Sequence, residues 1–595
     1  MPTLAASSAK PVAAAWLRRI APLLIAGPVV CYGLLVLTYA VNVPWVDDMD
    51  AFLSFILGYS DATTLAQKVD WLLRPNNEHR ILTAKLTTVL MRFLTGEVNF
   101  RWLIFVAFGF LFGTFALLYR VFRSMNLPLL AFVPVCFIFW QPQYYLTSLW
   151  ALTGLQHEVV IFLTLSAIYL LSGSGTYRFA GAMGLQIWAS LSMSNGLFGW
   201  VAGAVVLVLA RHWTRLGLWV GVGVATIIFY FHDFQNSQGN GSSVSFFLES
   251  PHIVIAAFFT FVGALFDFLP VNDVDIVRRS ILPTLFGLVL VPTVVWLLWR
   301  MNWPLWSRNR QTDPAQQRRR YFFTGCYAFL FVNAAIIAFL RPRFGYDVML
   351  VSNYMIYPAL LTVLVYLNGL SEFRSRLVLR RWISTGLVVS AVVWTISYGL
   401  HWPQIAFRKQ MLLTFSFNQK HNDIGLGPQW GSPFADMVRR VMQETVKRDM
   451  YHYPDGYFTP YEALLKPVVS VAVDSTVALA MRGGGYNYVI ETDFDALPQP
   501  VGQAAVVVQS DRRTYLFPSE SGFRPGAFYG GRPVRAIWAE VINPMLAPGT
   551  YRVGILTPSV LAKTGDASPV LARTGEASLD QTQPIRFSNR QITIR

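Results

Sequence analysis

Apolar stretches of roughly 17 to 25 residues, each long enough to cross the hydrocarbon core of a bilayer, recur from residue 20 to residue 401. A globular core absorbs one or two such segments. A dozen in series demand lipid as the solvent. Judged by length and apolarity, the expected spans are 20–41, 102–120, 127–141, 156–172, 179–193, 196–211, 216–231, 252–269, 281–299, 321–340, 353–370 and 383–401. Charged residues make up only 13% of the 595 positions, against about 25% in an average soluble domain. The net charge of +16 therefore reads as Lys and Arg placed in short loops between spans, not as a nucleic-acid surface.

Those basic clusters set the expected orientation. Arg18 and Arg19 precede the first apolar run, which puts residues 1–19 in the cytoplasm. That run is too long for a secretory signal and is read as an uncleaved span. The segment RMNWPLWSRNRQTDPAQQRRR, 300–320, and SEFRSRLVLRRW, 371–382, are also basic and expected inside. Residues 341–354 and everything after 401 then lie outside. Counting from the two ends disagrees by one crossing, so 252–269 is re-entrant or interfacial, or one short span is false, and the expected total is about 11 to 13. Cys31, Cys136 and Cys326 all fall within apolar runs, which indicates neither a disulfide framework nor a thiolate metal site.

Beyond residue 401 the pattern changes. Residues 402–465 read as a helical connector, with SPFADMVRRVMQETVKRDM, 432–450, an amphipathic helix capped by Ser432 and started by Pro433. From 466 to 595, short runs such as VVSVAVD, YNYVIETDF, AAVVVQS and TYRVGIL are broken by Gly, Pro and Asp, the pattern of an antiparallel β-sandwich. VLAKTGDAS at 560 is echoed by VLARTGEAS at 570, too short a repeat for a solenoid. Aromatics are dense here: Trp430, Tyr451, Tyr453, Tyr457, Tyr486, Tyr488, Phe528, Tyr529 and Trp538. They fit a sandwich core and a membrane-facing belt better than a glycan platform. Asn240-Gly241-Ser242 is a glycosylation triplet of a kind that arises often by chance.

The expected chemistry lies in the loop 42–101, outside the first span. WVDDMD holds Trp45, Asp47, Asp48 and Asp50, and RPNNEHRILTAK holds Glu78, His79, Arg80 and Lys85. Solvated charges capping interfacial helices would account for either cluster alone. Carboxylates within a residue or two of a span's end, however, sit where burial is costly without a function or partner. No Walker loop, no G-x-G-x-x-G opening a helix after a strand and no G-x-S-x-G is present, and the GGG at 483–485 reads as a turn. An outer-face transferase lacks soluble nucleotide donors, so its donor must ride on a lipid phosphate. A carboxylate can then take the proton of an acceptor hydroxyl, and cations stabilise the departing phosphate. His79, Arg80 and Lys85 offer that charge, as do Arg341 and Arg343, whose forked donors suit phosphate. As a span cap, an Arg pair also serves by snorkelling. His157 and Glu158 are candidate cavity residues or a buried hydrogen-bonded pair.

A paired-acid motif after the first span, many further spans and an external β-rich domain together resemble the GT-C class of integral-membrane glycosyltransferases. Similar members are bacterial relatives of protein O-mannosyltransferases and aminoarabinose transferases. The resemblance covers most of residues 15–400. It implies that one of Asp47 and Asp48 is the catalytic base, with Asp47 preferred, and that Glu78 matches a second acid found in some members. QPQYYLTSLWALTGLQHE, 141–158, and SMSNG, 192–196, look like segments of bacterial members with no assigned role. Asn353–Tyr354 departs from the pattern, since a basic residue is expected beside the Tyr. Asp47, Asp48, Asp50, Glu78 and His79 offer ligands that suit Mg²⁺, Mn²⁺ or Ca²⁺, but the likeness to monosaccharide transferases implies that no metal is required.

The expected fold is thus a multi-pass α-helical membrane protein, GT-C-like over 20–401, with a C-terminal extracytoplasmic β-sandwich-like domain. The expected activity is transfer of a sugar from a polyprenyl-phosphate carrier to a hydroxyl of a glycan, lipid or protein acceptor, at the outer face of the cytoplasmic membrane. Membrane lipids are the other expected partner; nucleic acid is not. A flippase for lipid-linked glycans and an oligosaccharide polymerase or ligase are the alternatives. Few acids within the spans and no inverted repeat argue against the flippase.

Overall fold

A computed structural model of the protein describes residues 12–77, 79–234, 240–269, 274–306, 313–467, 479–484, 486–493, 504–523, 535–557 and 585–594. Glu78, the run VVSVAVD, the pair Phe528 and Tyr529 and the tandem repeat after 560 lie outside the described residues. The chain divides into two compact units. The first comprises Met1–Thr38, Ala62–Thr87 and Leu103–Trp402; the second comprises Tyr39–Asp61, Thr88–Trp102 and Pro403–Arg595.

The chain is mostly helical and membrane-embedded in character. Nine of its described helices are long and apolar enough to cross a bilayer, or ten if a bent pair is one span. They are Arg19–Tyr39, Phe100–Arg123, Leu129–Ser148, Ala151–Leu171, Trp213–Phe231, Ile276–Trp303, Pro314–Phe344, Ser352–Glu372 and Arg376–Asn422. The count falls below the 11 to 13 expected from hydropathy for two reasons. Thr176–Ser192 and Phe198–Leu209 are helices of only 17 and 12 residues, joined by a turn at Ser194–Leu197. Ser242–Glu249 and Pro251–Val262 meet at 100°, so the 252–269 segment is one arm of a broken span or re-entrant loop.

Within the first unit, Ala151–Leu171 and Ser352–Glu372 are the most enclosed of these helices, and Trp213–Phe231 and Ile276–Trp303 leave most of their surface outward. Leu, Val and Ile side chains such as Leu285, Leu288, Val289 and Val295 are exposed on the outer helices. That surface is costly in water and neutral in lipid. Close helix approach is set by glycine. A Cβ on Gly287 would lie 1.9 Å from the Phe259 carbonyl oxygen, and one on Gly263 would lie 2.0 Å from that of Pro283. Small residues let helix backbones touch where lipid supplies no hydrophobic drive.

The second unit contains the loop after the first span. Asn42 stitches it: its Oδ1 accepts from the Phe100 amide at 2.8 Å, and its Nδ2 donates to the His452 carbonyl at 3.0 Å. The end of the long Arg376–Asn422 helix docks on the sheet through Asn418, whose amide exchanges two 2.8 Å bonds with the backbone of Leu516. The helix Pro433–Lys447 begins where Ser432 Oγ accepts from the Ala435 amide at 3.1 Å. The strands are β1 (Ala480–Gly484), β2 (Asn487–Asp493), β3 (Ala505–Gln509), β4 (Thr514–Phe523), β5 (Arg535–Ile542), β6 (Gly549–Leu556) and β7 (Ile585–Ile594). They form one curled antiparallel sheet in the order β1-β2-β5-β4-β3-β6-β7, where the alternation alone suggested two packed layers. The curl arises in β4, which pairs with β3 through Pro518 and with β5 from Ser519 onward. Proline lacks the amide that would continue the first ladder, so the strand changes partner there.

Candidate functional site

The acid loop is built on a strained backbone. Val46 has φ +45°, a left-handed conformation that a β-branched residue adopts only under constraint. The Asp48 amide donates to the Trp45 carbonyl at 3.0 Å and the Ala51 amide to the Asp47 carbonyl at 3.0 Å. A π-helical turn, Met49–Ser54, follows directly, and such turns recur at functional positions. Burial of Met49, Ala51, Phe52 and Leu53 holds this geometry. The Phe52 ring meets Phe100 edge-on at 5.7 Å, and Trp45 stacks on Phe415 at 6.4 Å.

The three aspartates therefore differ sharply. Asp48 is 1% exposed and its Oδ2 accepts from the Trp45 amide at 2.9 Å, closing the turn. Asp50 is exposed. Asp47 lies between these extremes, half-buried. Burial, and behind it the Asp50 charge, raise its pKa above the ordinary carboxylate range. A raised pKa makes a carboxylate a stronger base once it is ionised.

In the first unit, a tight turn precedes the Leu82–Thr95 helix. Asn76 and His79 exchange backbone hydrogen bonds of 2.8 and 2.9 Å around Asn77, which takes φ +49°. Arg80 turns inward: its guanidinium donates to the carbonyls of Tyr230 at 2.8 Å and Phe229 at 3.1 Å, and also to those of Leu73 and His232. Lys85, 2% exposed, donates to the Trp71 and Arg74 carbonyls at 2.9 and 2.7 Å. Both cations brace this loop with the donors that would otherwise meet a phosphate.

His157 and Glu158 belong to a polar cluster inside the apolar unit. Glu158 is fully buried; its Oε1 accepts from Ser148 Oγ at 2.7 Å, and Ser148 accepts from Tyr32 at 2.8 Å. Its Oε2 has no hydrogen-bond partner among the described residues. One helical step away, His157 Nδ1 lies 2.8 Å from the Tyr357 hydroxyl, to which Asn195 donates at 3.1 Å. The Tyr354 ring packs edge-on against the His157 ring at 5.7 Å. His157 also lies within electrostatic range of His79 and Arg341. The two segments without a role in the sequence thus supply this cluster: 141–158 contributes Ser148, His157 and Glu158, and 192–196 contributes Asn195. The missed members, Tyr32, Ser148, Asn195 and Tyr357, share one signal, hydrogen-bonding side chains deep within apolar runs.

Arg341 and Arg343 follow the Pro314–Leu340 helix. Arg343 donates to Ser242, stacks its guanidinium 4.4 Å from the Phe344 ring centroid, and keeps a buried Nε without a partner among the described residues. On the chain beside it, Pro342 and Tyr346 line a cavity of about 690 Å³ whose other walls come from the bent helix (His252, Ile253, Ala256) and from Ile276–Trp303 (Ile281, Leu285). The lining is chiefly apolar, and Tyr346 is tied to Thr260 at 2.7 Å. In the second unit, Trp430 and Tyr486 line a shallower cleft of about 400 Å³. Among the described residues no three His, Cys, Asp or Glu side chains are grouped to hold a metal ion; Glu78, one of the candidate ligands, is outside them.

Comparison with known protein families, curated proteins and solved structures finds no match to this chain.

Proposed function

We propose that this chain is a GT-C-like glycosyltransferase that moves a sugar from a polyprenyl-phosphate carrier to an acceptor hydroxyl on the outer face of the cytoplasmic membrane. The observation that carries the reading is Asp47: a half-buried carboxylate of raised pKa, beside a strained Val46 and a π-helical turn, at the exit of the first span. In the reaction, the hydroxyl oxygen attacks the anomeric carbon as its proton passes to Asp47. The carbon–oxygen bond to phosphate breaks, and the pair of electrons leaves with the lipid phosphate. Asp48 holds the turn that presents Asp47. In the first unit, taken by itself, Arg343 keeps a buried Nε with no hydrogen-bond partner among the described residues, a donor that suits an anion such as a lipid phosphate. The apolar cavity of about 690 Å³ within the first unit suits prenyl carbons, which partition into such space at about 0.8 kcal/mol per buried methylene. No metal is needed, because a lipid phosphate departs as a stabilised anion.

The test is complementation read by mass spectrometry of surface glycans, with membrane insertion checked in parallel. Asp47→Asn is expected to remove the glycan that the native chain adds, whereas Asp48→Asn, which keeps an acceptor for the Trp45 amide, is expected to retain much of it. Full activity in Asp47→Asn overturns the reading. A carrier that flips lipid-linked glycans competes with it, favoured by one observation, the buried Glu158 inside an apolar helix. A covalent product from purified protein and a polyprenyl-phosphate sugar excludes that alternative; translocation without product establishes it.

A further inference from the structure

At the end of the Pro314–Leu340 helix opposite Arg341 lies a second cavity, of about 290 Å³. Three arginines line it: Arg120, near the last residue of Phe100–Arg123, and Arg318 and Arg319, in the first turns of Pro314–Leu340. Tyr169, near the end of Ala151–Leu171, forms the floor. The guanidinium of Arg318 sits 4.3 Å and that of Arg120 5.7 Å from the Tyr169 ring centroid, so both cations gather at one aromatic ring. Arg178 lies within electrostatic range of Arg318 as well.

Like charges gathered in this way repel, and among the described residues no acid lines the cavity; Asp313 and Glu372 act on Arg319 from outside it. Glu372 is taken by the buried Arg320, with Nη2 to Oε2 at 3.0 Å. Asp313 caps the helix by accepting from the Ala315 amide at 3.1 Å. Neither carboxylate lines the cavity. Arg319 is held in place by Ser371 Oγ at 3.0 Å and the Ser124 carbonyl at 2.8 Å. Arg318 keeps a buried Nε with no hydrogen-bond partner among the described residues. Three guanidinium groups, Arg319 held by hydrogen bonds and Arg318 with an unmet buried donor among the described residues, form a receptor for a single multivalent anion.

The surroundings identify the anion's carrier. The cavity is framed by the ends of three membrane-crossing helices, the level at which lipid headgroups lie. Val121 and Phe322 add apolar walls that suit the first carbons of an acyl chain. We infer that the Arg120–Arg318–Arg319 cavity binds the phosphate of an anionic phospholipid headgroup, independently of the site that the proposed reaction uses. A basic pocket between transmembrane helices is a known form of headgroup recognition.

The experiment uses the full chain purified in detergent and transferred to nanodiscs of phosphatidylcholine with or without phosphatidylglycerol. Retained lipids are counted by native mass spectrometry. The native chain is expected to keep phosphatidylglycerol through detergent exchange. Arg120→Gln, an exposed position chosen so that folding is spared, is expected to lower that retention at least fivefold, and Arg318→Gln further. Arg318→Lys, which keeps charge but loses the fork, is expected to fall between. Arg439→Gln, a surface arginine paired with Asp436, is expected to have no effect. Equal retention in the native chain and Arg120→Gln overturns the inference. So does saturation of the site in pure phosphatidylcholine discs by millimolar inorganic phosphate or a soluble nucleotide, because the ligand is then not a lipid.

Discussion

The acid loop and the buried Tyr32–Ser148–Glu158 chain both hold carboxylates at an apolar boundary, yet they are built in opposite ways. Glu158 is sealed, and its Oε1 takes a hydroxyl bond from Ser148. In the loop, the sealed carboxylate is Asp48, whose bond to Trp45 keeps Asp47 half-open beside a strained residue. Burial alone therefore does not mark a reactive group. In the proposed reading, the reactive group is instead the incompletely buried acid, held by a neighbour that performs the structural task. Strain near Asp47 persists because Met49, Phe52 and Leu53 anchor the turn in the core.

The contrast breaks or sharpens under substitution, most strongly at Asp47. Asp47→Asn removes the proposed base and is expected to lower transfer by about 10²–10⁴-fold. The same change is expected to leave thermal stability unchanged or slightly raised at pH 7. The sign follows from linkage: a carboxylate whose folded pKa is raised binds its proton more tightly when folded, so its contribution to stability falls as pH rises through the window above its unfolded value. At neutral pH the ionised form is a burden that Asn relieves. A clear drop in Tm with activity retained would assign Asp47 to the scaffold instead.

Ser148→Ala withdraws the hydroxyl that Glu158 accepts from and is expected to destabilise the fold by about 1–3 kcal/mol, the range for leaving a buried polar group unmet. Thermal unfolding in detergent reads this directly. An unchanged Tm would mean that the buried chain contributes nothing to stability. Asp48→Ala opens the turn and is expected to cost about 1 kcal/mol, as loss of a capping side chain does, while Asp48→Asn retains an acceptor for the Trp45 amide and recovers most of it. Asp50→Asn is the mildest change. Removing a neighbouring negative charge lowers the Asp47 pKa, so the acidic limb of the pH–rate profile is expected to move to lower pH. A limb that stays in place would show that burial alone sets the Asp47 pKa.

Much of this architecture is legible in the chain, residue by residue. The length of apolar runs announced most of the crossing helices, because a bilayer imposes one thickness on every span. WVDDMD stood out because three acids so near a greasy helix are expensive there. Ser432 and Pro433 announced the start of their helix, since capping is a local interaction. Segments 179–193 and 196–211 raised the expected count because hydropathy registers that a run is apolar but not where its helix starts and stops: the helices are only 17 and 12 residues long, broken by the turn at Ser194–Leu197. Arg80 and Lys85 illustrate a related limit. The same donors fit a phosphate or a cage of carbonyls, and only their placement beside Leu73, Trp71, Arg74 and the Phe229–His232 turn selected the cage.

What the sequence determined alone is the solvent: runs of this length and apolarity leave a bilayer as the medium, and the acids must then gather where those runs end. The tertiary structure decided which carboxylate is sealed and which stays open. It also decided which arginines brace a loop and which gather around a cavity, and where β4 changes partner. Those outcomes depend on contacts between residues far apart in the chain, and a charged side chain takes its role from whichever distant partners the fold brings within about 3 Å of it.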